Sequence, residues 1–420
     1  MHEIPYTLSN LRKHITYSDL KKLEKLNDYQ AKTEIAQTTL KRIQTVNIFS
    51  DSLSKTVIGG KDGYTFNSAE ANTTARLIAK NIRANYPIKQ SNRQALIENS
   101  VSMLKESTPY NIYRYDIKNF FESIDRKLLL EKLMKDGLCS WQTIILIDKI
   151  FELFEVLEID GLPRGLTLSS TLSELTLLDF DTAIKRIDGV FFYGRFVDDI
   201  LIITSNKILR GEFDKLVESL LPSGLELHSA SKRDHFTIRK ITSNDTDDKP
   251  HTFNYLGYKI SVLNKHSDET TCSHARRQVL IDIADSKVRR LKQKSMRAFI
   301  SYIASNRRQS DYSLLKNRIK SLTGNYYISD PATGIKIKTG IFFNYAHKNT
   351  KENCSLTELD RFLRSLLFST KNPLSKRIAA ALPIDRRREL AELNFTDGFT
   401  KARFHSFNYK LLNKMKGVWR

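Results

Sequence analysis

The stretch "FFYGRFVDDILIIT", residues 191–204, constrains this chain most. Two runs rich in aromatic and β-branched residues, which fit a pleated and buried surface, flank the adjacent carboxylates Asp198 and Asp199. Acidic residues are poor strand formers and repel each other when adjacent. A strand–turn–strand that keeps two of them at its turn therefore suggests a metal site. Like charges this close push one pKa upward, and a bound divalent cation removes that cost. Mg²⁺ takes hard oxygen ligands, usually one or two carboxylates together with substrate phosphates. The plain alternative is a solvated hairpin tip; the apolar flanks place the turn at the end of a sheet instead.

A third carboxylate strengthens the case. In "YNIYRYDIKNFFESID" a strand pattern ends at Asp116, with Phe120 and Phe121 close behind. Residues 112, 114, 116 and 118 share one face of that strand. If the two strand units are sheet neighbours, Asp116 meets Asp198. Three carboxylates can hold two Mg²⁺ ions about 3.5–4 Å apart, the geometry for in-line phosphoryl displacement. One ion would lower the pKa of an attacking 3′-hydroxyl; the other would bind a triphosphate and offset charge on the leaving pyrophosphate.

The rest of the chain sets the context. Its 420 residues, 40% of them hydrophobic, can bury a large core divided into two to four lobes. A formal charge of +21 favours a polyanionic partner, nucleic acid before an acidic membrane surface. No apolar run approaches the ~18 residues that span a bilayer. The N-terminal "MHEIPYTLSNLRKHITYSDLKKLEK" has no apolar signal core. Cys139, Cys272 and Cys354 show neither metal-ligand nor disulfide spacing, which fits a reducing cytoplasm.

Periodicity predicts a helix around Leu20, Leu23 and Leu26, and a hairpin or loop over 56–66 on Gly59, Gly60 and Gly63. It predicts helical stretches within 68–106, helices over 125–137 (closed by Gly137) and 141–157, and a buried helix over 166–184. The loop "GLPRG" (161–165) precedes the last of these, and "FNYLGYKISV" (253–262) reads as a short strand pair. "TSNDTDDKP" (242–250) is the clearest surface loop. From 270 onward the pattern predicts basic helix, with Val279, Ile283 and Val288 facing a core.

Taken in order, "DIKNFFESID", "GLPRG" before a helix, "FVDDILI" and "FNYLGYKI" resemble the reverse transcriptases over roughly residues 75–265. They match the first palm aspartate block, the template–nucleotide loop and helix, the [YF]-x-D-D turn and the "LGY" element near the primer grip. The resemblance implies an α+β chain with the right-hand polymerase fold, a ferredoxin-like palm and mostly helical fingers and thumb. It divides the chain into an N-terminal helical segment (1–55), fingers (56–109), palm (110–265, with fingers elements around 125–160), basic helical thumb (266–350) and C-terminal helical extension (351–420).

Residue by residue, the resemblance makes Asp116, Asp198 and Asp199 the catalytic metal ligands, with the backbone carbonyl of Ile117 beside them. The cofactor would be two Mg²⁺ ions, with Mn²⁺ able to substitute. Phe121, five residues after Asp116, stands where the family keeps an aromatic gate against the ribose 2′-hydroxyl, and Phe120 would pack the core. Arg164 stands where many relatives have Gln facing the incoming nucleotide, and Gly165 would let the backbone approach the base pair. Arg83, Lys89 and Arg93 would contact the triphosphate from the fingers, a solvated helix face being an equal account of them. Lys259 would touch the primer backbone.

Two departures stand out: Phe196 replaces the usual Tyr, and Arg164 replaces Gln. The retron-type "VTG" thumb signature is absent. Residues 311–347, "DYSLLKNRIKSLTGNYYISDPATGIKIKTGIFFNYAH", and the basic tail are instead similar to bacterial unknown-group, abortive-infection-like reverse transcriptases of antiviral defence, type 3 enzymes being nearest. That implies a noncoding RNA template, an RNA–DNA hybrid product, dNTP substrates, a second reverse transcriptase subunit or a second copy as partner, and no membrane.

The basic residues Arg276, Arg277, Arg289 and Arg290 would hold the phosphates of the hybrid without reading sequence. The final segment mixes Lys401, Arg403, Lys410 and Arg420 with Phe404, Phe407, Tyr409 and Trp419, which serves either a docking helix or stacking on unpaired nucleotides. Two other classes remain open at this point. One is an RNA-dependent RNA polymerase or an untemplated or protein-primed terminal transferase; a bulky Phe121 argues against rNTP use. The other is a catalytically idle RNA-binding scaffold, which the intact set of three carboxylates disfavours.

Overall fold

The computed structural model describes residues 2–22, 29–50, 53–58, 60–229, 233–241, 249–266, 276–329, 335–350 and 354–419. The expectations placed on Leu23, Leu26, Gly59, Cys272, Arg420 and most of the 242–250 loop fall outside them. The chain divides into two compact units. One comprises residues up to Met103 with Thr108–Lys240; the other comprises Leu104–Ser107 with nearly all residues from Ile241 onward.

In the first unit, β1 (Leu53–Ile58) and β2 (Lys61–Phe66) form the hairpin expected over 56–66, with Ile58 paired to Lys61. The helix Ala69–Asn85 follows, opened by Ser68, whose hydroxyl accepts the Ala71 N–H. The central sheet contains β3 (Tyr110–Asp116), β4 (Val190–Phe196), β5 (Asp199–Ser205) and β6 (Asp234–Ile238), in the order β4-β5-β3-β6. All its neighbours pair antiparallel. Ile200, Leu201, Ile202 and Ile203 are buried in succession, so β5 is covered on both faces. The helices Arg126–Asp136 and Trp141–Val156 match the pattern, and the first ends at Gly137 with φ 61, a left-handed cap suited to glycine.

The helix expected over 166–184 is two, Thr167–Thr176 and Leu178–Arg186, broken at Leu177. The second piece brings Asp181 to β4, where a buried polar network forms. The Arg195 guanidinium donates through Nε and Nη2 to both oxygens of Asp181 (2.7 and 2.6 Å). Nη2 also reaches Glu174 at 2.7 Å, and Nη1 reaches the Val197 carbonyl at 2.9 Å. Val197 has φ 61, a left-handed conformation costly for a β-branched residue. Arg195 thus braces a strained turn from beneath, and leucine spacing carries no trace of this polar requirement.

In the second unit, β7 (His251–Tyr255), β8 (Tyr258–His266) and β9 (Arg277–Ile283) form an antiparallel sheet. Leu256 and Gly257, both at positive φ, make the tight turn of "LGY". Residues 277–283 are therefore strand where helix was expected. Arg277, Val279, Ile281 and Ile283 point inward in strict alternation, a period of two hidden among basic residues. Arg277 is also corrected as a phosphate contact. It is fully buried, and its guanidinium donates to the Glu106 and Leu263 carbonyls and to Asn264 Oδ1 (3.2, 3.3 and 2.7 Å).

The helices Asp285–Ile303, Gln309–Thr323 and Ser355–Phe368 pack around Phe299, Leu315 and Leu359. A small sheet of β10 (Asn325–Ser329), β11 (Lys336–Gly340) and β12 (Phe404–His405) has the order β11-β10-β12. The terminal helix Tyr409–Lys416 buries Leu412 and Met415, and the Trp419 indole N–H donates to the Lys294 carbonyl at 3.0 Å. No described helix is long and apolar enough to cross a membrane.

Removing Arg195 should strand Asp181 and Glu174 without their cation. Arg195→Met is expected to lower stability by about 3 kcal/mol or more in urea unfolding. Adding Asp181→Asn and Glu174→Gln should recover part of that loss. A single substitution that leaves the midpoint unchanged contradicts the bracing role.

Candidate active site

The register of β3 on β5 opposes Asp116 directly to Asp199, so both side chains leave the same face of the sheet. Phe196 pairs with Asp199 across the β4–β5 hairpin, leaving Val197 and Asp198 as its two-residue turn. The Ile117 N–H donates to the Asp198 carbonyl at 3.2 Å, tying the end of β3 to that turn. On the other side, the His228 N–H donates to the Asp116 carbonyl and the Lys118 N–H to the Glu226 carbonyl, both at 2.8 Å. Backbone pairing alone thus brings the three aspartates to one end of the sheet.

They are not equivalent. Asp199 Oδ1 accepts from Arg114 Nε at 3.1 Å, and Arg114 Nη1 reaches Asp234 at 3.3 Å. Arg114 lies two residues before Asp116 on the same strand face. His228 Nε2 lies 3.8 Å from Asp116 Oδ2. Among the described residues, no group of three or more His, Cys, Asp and Glu side chains is arranged to hold a metal. Burial pushes the Asp198 carboxyl above its ordinary range and the Asp116 charge adds to this, while Arg164 and Lys61 pull the other way. The donor chemistry still fits a hard divalent cation. Asp116 and Asp198 offer carboxylate oxygens, and a cation would relieve the burial and repulsion that Asp198 bears.

The loop "GLPRG" is strung between two neighbours. Gly161, at φ 53, lies against the chain after Asp116, where an added Cβ would sit 2.2 Å from the Phe121 carbonyl oxygen. The Leu162 N–H donates to that oxygen at 2.8 Å, and the Arg164 carbonyl accepts the Tyr64 N–H of β2 at 2.7 Å. Gly165 takes φ 98. The Arg164 guanidinium lies 4.9 Å over the Phe121 ring and grips Glu122 through Nε and Nη2 (3.0 and 3.2 Å). Lys61 Nζ stands 3.5 Å from both Asn119 Oδ1 and Glu122 Oε1. Burial raises the Glu122 carboxyl, but the Arg164 bonds and the Lys61 charge outweigh it and hold it below its ordinary range. Phe120 is buried, whereas Phe121 is only half-buried beside Arg164.

Lys61 and Glu122 are the site residues that sequence reading missed. Their contacts join segments about sixty positions apart, and only the "GGKDG" hairpin tip hinted at a cation there. Of the expected fingers bases, Arg83 is exposed at the last turn of its helix and Lys89 is exposed beyond it. Arg93 opens the helix Arg93–Leu104, whose Leu96 packs near Gly194 of β4. The cations that bear on Asp198 are Arg164 and Lys61. In the second unit, Lys259 pairs with Asp285 at 3.2 Å and Arg276 is exposed. Arg289 and Arg290 are exposed on the helix Asp285–Ile303, where with Lys294, Arg297 and Trp419 they line a groove of about 560 Å³.

Residues 65–260 match the family model described as reverse transcriptase (RNA-dependent DNA polymerase). No curated protein matches the sequence. Among solved structures, the chain is similar to telomerase from Candida albicans in complex with a fragment of telomeric RNA. That match has 13% identity and a TM-score of 0.31, over 82% of this chain and 53% of that one. Apo telomerase from Candida tropicalis, truncated from its C-terminal domain, matches at 12% identity and a TM-score of 0.25, over 58% and 49%. The chain spans about half the length of these structures.

Asp198 gives the site a pH signature. A carboxyl whose folded pKa is raised costs stability once ionised, and costs nothing below its unfolded pKa of about 4. Without divalent cations, Asp198→Asn should therefore melt higher than the wild type at pH 7, and the difference should vanish below about pH 4. Added Mg²⁺ should raise the melting temperature of the wild type and leave the variant's unchanged. Equal melting at pH 7 contradicts this reading.

Proposed function

We infer from the reverse transcriptase domain over residues 65–260 that this protein is an RNA-directed DNA polymerase, a nucleotidyltransferase that adds dNTPs to a primer 3′-hydroxyl. The observation that carries the reading is the β3–β5 register, which sets Asp116 against Asp199 with Asp198 in the adjoining turn. The family uses divalent ions; here we take them to be two Mg²⁺, replaceable by Mn²⁺. Asp116 and Asp198 would hold them, joined by Asp199 and the Ile117 carbonyl. When bound, such ions lower the pKa of the attacking hydroxyl and offset charge on the departing pyrophosphate.

The chain's own residues do the positioning. Paired backbone fixes Asp116 and Asp198 before substrate arrives, so little reorganisation is needed. Phe121, half-buried beside the site, excludes a ribose 2′-hydroxyl. Arg164 and Lys61 rest on Glu122, and a triphosphate carries more charge than that carboxylate, so it competes for both. Arg83, Lys89 and Arg93 add positive charge from the fingers, and Gly165 lets the backbone approach the nascent pair. Lys259, Arg276, Arg289 and Arg290 hold the hybrid product, a role supported by the excess charge of +21.

The finer setting rests on sequence resemblance. The segment 311–347 and the basic tail support a defence-associated enzyme of bacteria, of the unknown-group, abortive-infection-like kind and nearest type 3. Its template would be a noncoding RNA, its partner a second reverse transcriptase subunit or a second copy, and its compartment the cytoplasm.

Primer extension on a structured RNA tests the reading. Asp198→Asn should lower extension by about a thousandfold while RNA affinity stays within about twofold. Phe121→Ala should admit rNTPs, raising their use relative to dNTPs by about tenfold or more. Extension that survives Asp198→Asn, or a preference for rNTPs with Phe121 intact, contradicts it.

A further inference from the structure

The small sheet of the second unit lies outside residues 65–260, and its two faces differ. Register and alternation put Asn325, Tyr327 and Ser329 of β10 on one face, opposite Gly340, Lys338 and Lys336 of β11. β12 runs parallel to β10 with Phe404 beside Asn325, which places Phe404 on that same face. The Tyr327 and Phe404 ring centroids are 4.5 Å apart, and each residue is 39% exposed. Phe343 joins them, 6.3 Å from Phe404, with the Lys338 ammonium 5.4 Å over its ring. Lys336 and Lys338 are exposed and make no ion pair with a described residue. Among the described strand residues of this face none is acidic. The opposite face carries Tyr326, Ile328, Ile337 and His405 instead.

We propose that the Tyr327–Phe404–Phe343 face, with Lys336 and Lys338, is a binding site for single-stranded nucleic acid. Half-exposed aromatic rings offer flat surfaces on which unpaired bases stack, whatever their sequence. Ammonium groups among the rings meet the phosphates between those bases, and neither lysine is ion-paired to a described residue. Lysines on an edge strand also deter edge-to-edge pairing, and β11 is such an edge. That account covers the lysines; it leaves unexplained why three aromatic rings gather on the same side. A protein partner with this chemistry would need acidic groups around an apolar centre. A polynucleotide supplies bases and phosphates along a single strand, and the whole chain's charge of +21 favours it.

The test measures fluorescence anisotropy of labelled U20 RNA and dT20 DNA with the full chain. Tyr327→Ala and Phe404→Ala should each weaken single-strand binding by about tenfold, and Tyr327→Phe should restore it. Blunt duplex RNA should change by less than about twofold in all three. The paired substitution Lys336→Glu with Lys338→Glu touches only exposed positions, so misfolding does not confound it. It should reduce the slope of log affinity against log salt by about 1.4. Tighter binding of U20 than dT20 identifies an RNA site; equal binding identifies one indifferent to the sugar. Unchanged single-strand affinity in aromatic variants that melt like the wild type overturns the proposal. So does an unchanged salt slope in the charge-reversed protein, above all with a new oligomeric state in light scattering, which marks the lysines as edge guards. The readout is binding without dNTPs or primer, so the result stands apart from whether the protein polymerises DNA.

Discussion

The pairing of β3 with β5 is the constraint on which the site depends. Side chains alternate along a strand, so a slip of one residue would carry Asp116 to the opposite face, away from Asp199. Several features forbid the slip. Arg114, on the face of β3 that carries Asp116, reaches Asp199 on β5, a contact that a slip would break. The Ile117 N–H meets the Asp198 carbonyl only in the observed alignment. Arg195 then fixes the turn itself, joining the strained Val197 carbonyl to Asp181 and Glu174. The geometry of this candidate site is a property of backbone pairing, with the side chains carried along.

Charge is balanced around that geometry in two layers. Arg114 links Asp199 to Asp234, so one carboxylate already has a cation while Asp198 bears burial and the charge of Asp116. Beside the aspartates, Glu122 holds both Arg164 and Lys61. The two basic groups therefore have a carboxylate partner beside the core. The same layer accommodates Arg164 in "GLPRG": its guanidinium has a carboxylate to grip and an aromatic ring to lie on.

Much of this was legible in the sequence because it follows from local pattern. The apolar runs around Asp198 announced a buried hairpin, the "YNIYRYD" alternation announced β3, and Gly137 announced a helix end. What the pattern missed was non-local or masked by composition. Arg277–Ile283 reads as helix because its neighbourhood is basic and helical, yet its own residues alternate and form a strand. Arg277 reads as a surface cation, and only the fold reveals the carbonyls of Glu106 and Leu263 that bury it. Lys61 and Glu122 are distant in sequence, so no periodicity links them. The leucine pattern runs unbroken through Leu177, where the helix breaks, and gives no sign that Asp181 has its partner Arg195 on another element.

The central claim is that Asp116 and Asp198 together bind a divalent cation. Anomalous diffraction from crystals soaked in Mn²⁺ addresses it most directly. A peak within about 2.5 Å of a carboxylate oxygen from each residue is the predicted result. Well-occupied Mn²⁺ elsewhere, with none between Asp116 and Asp198, would contradict it.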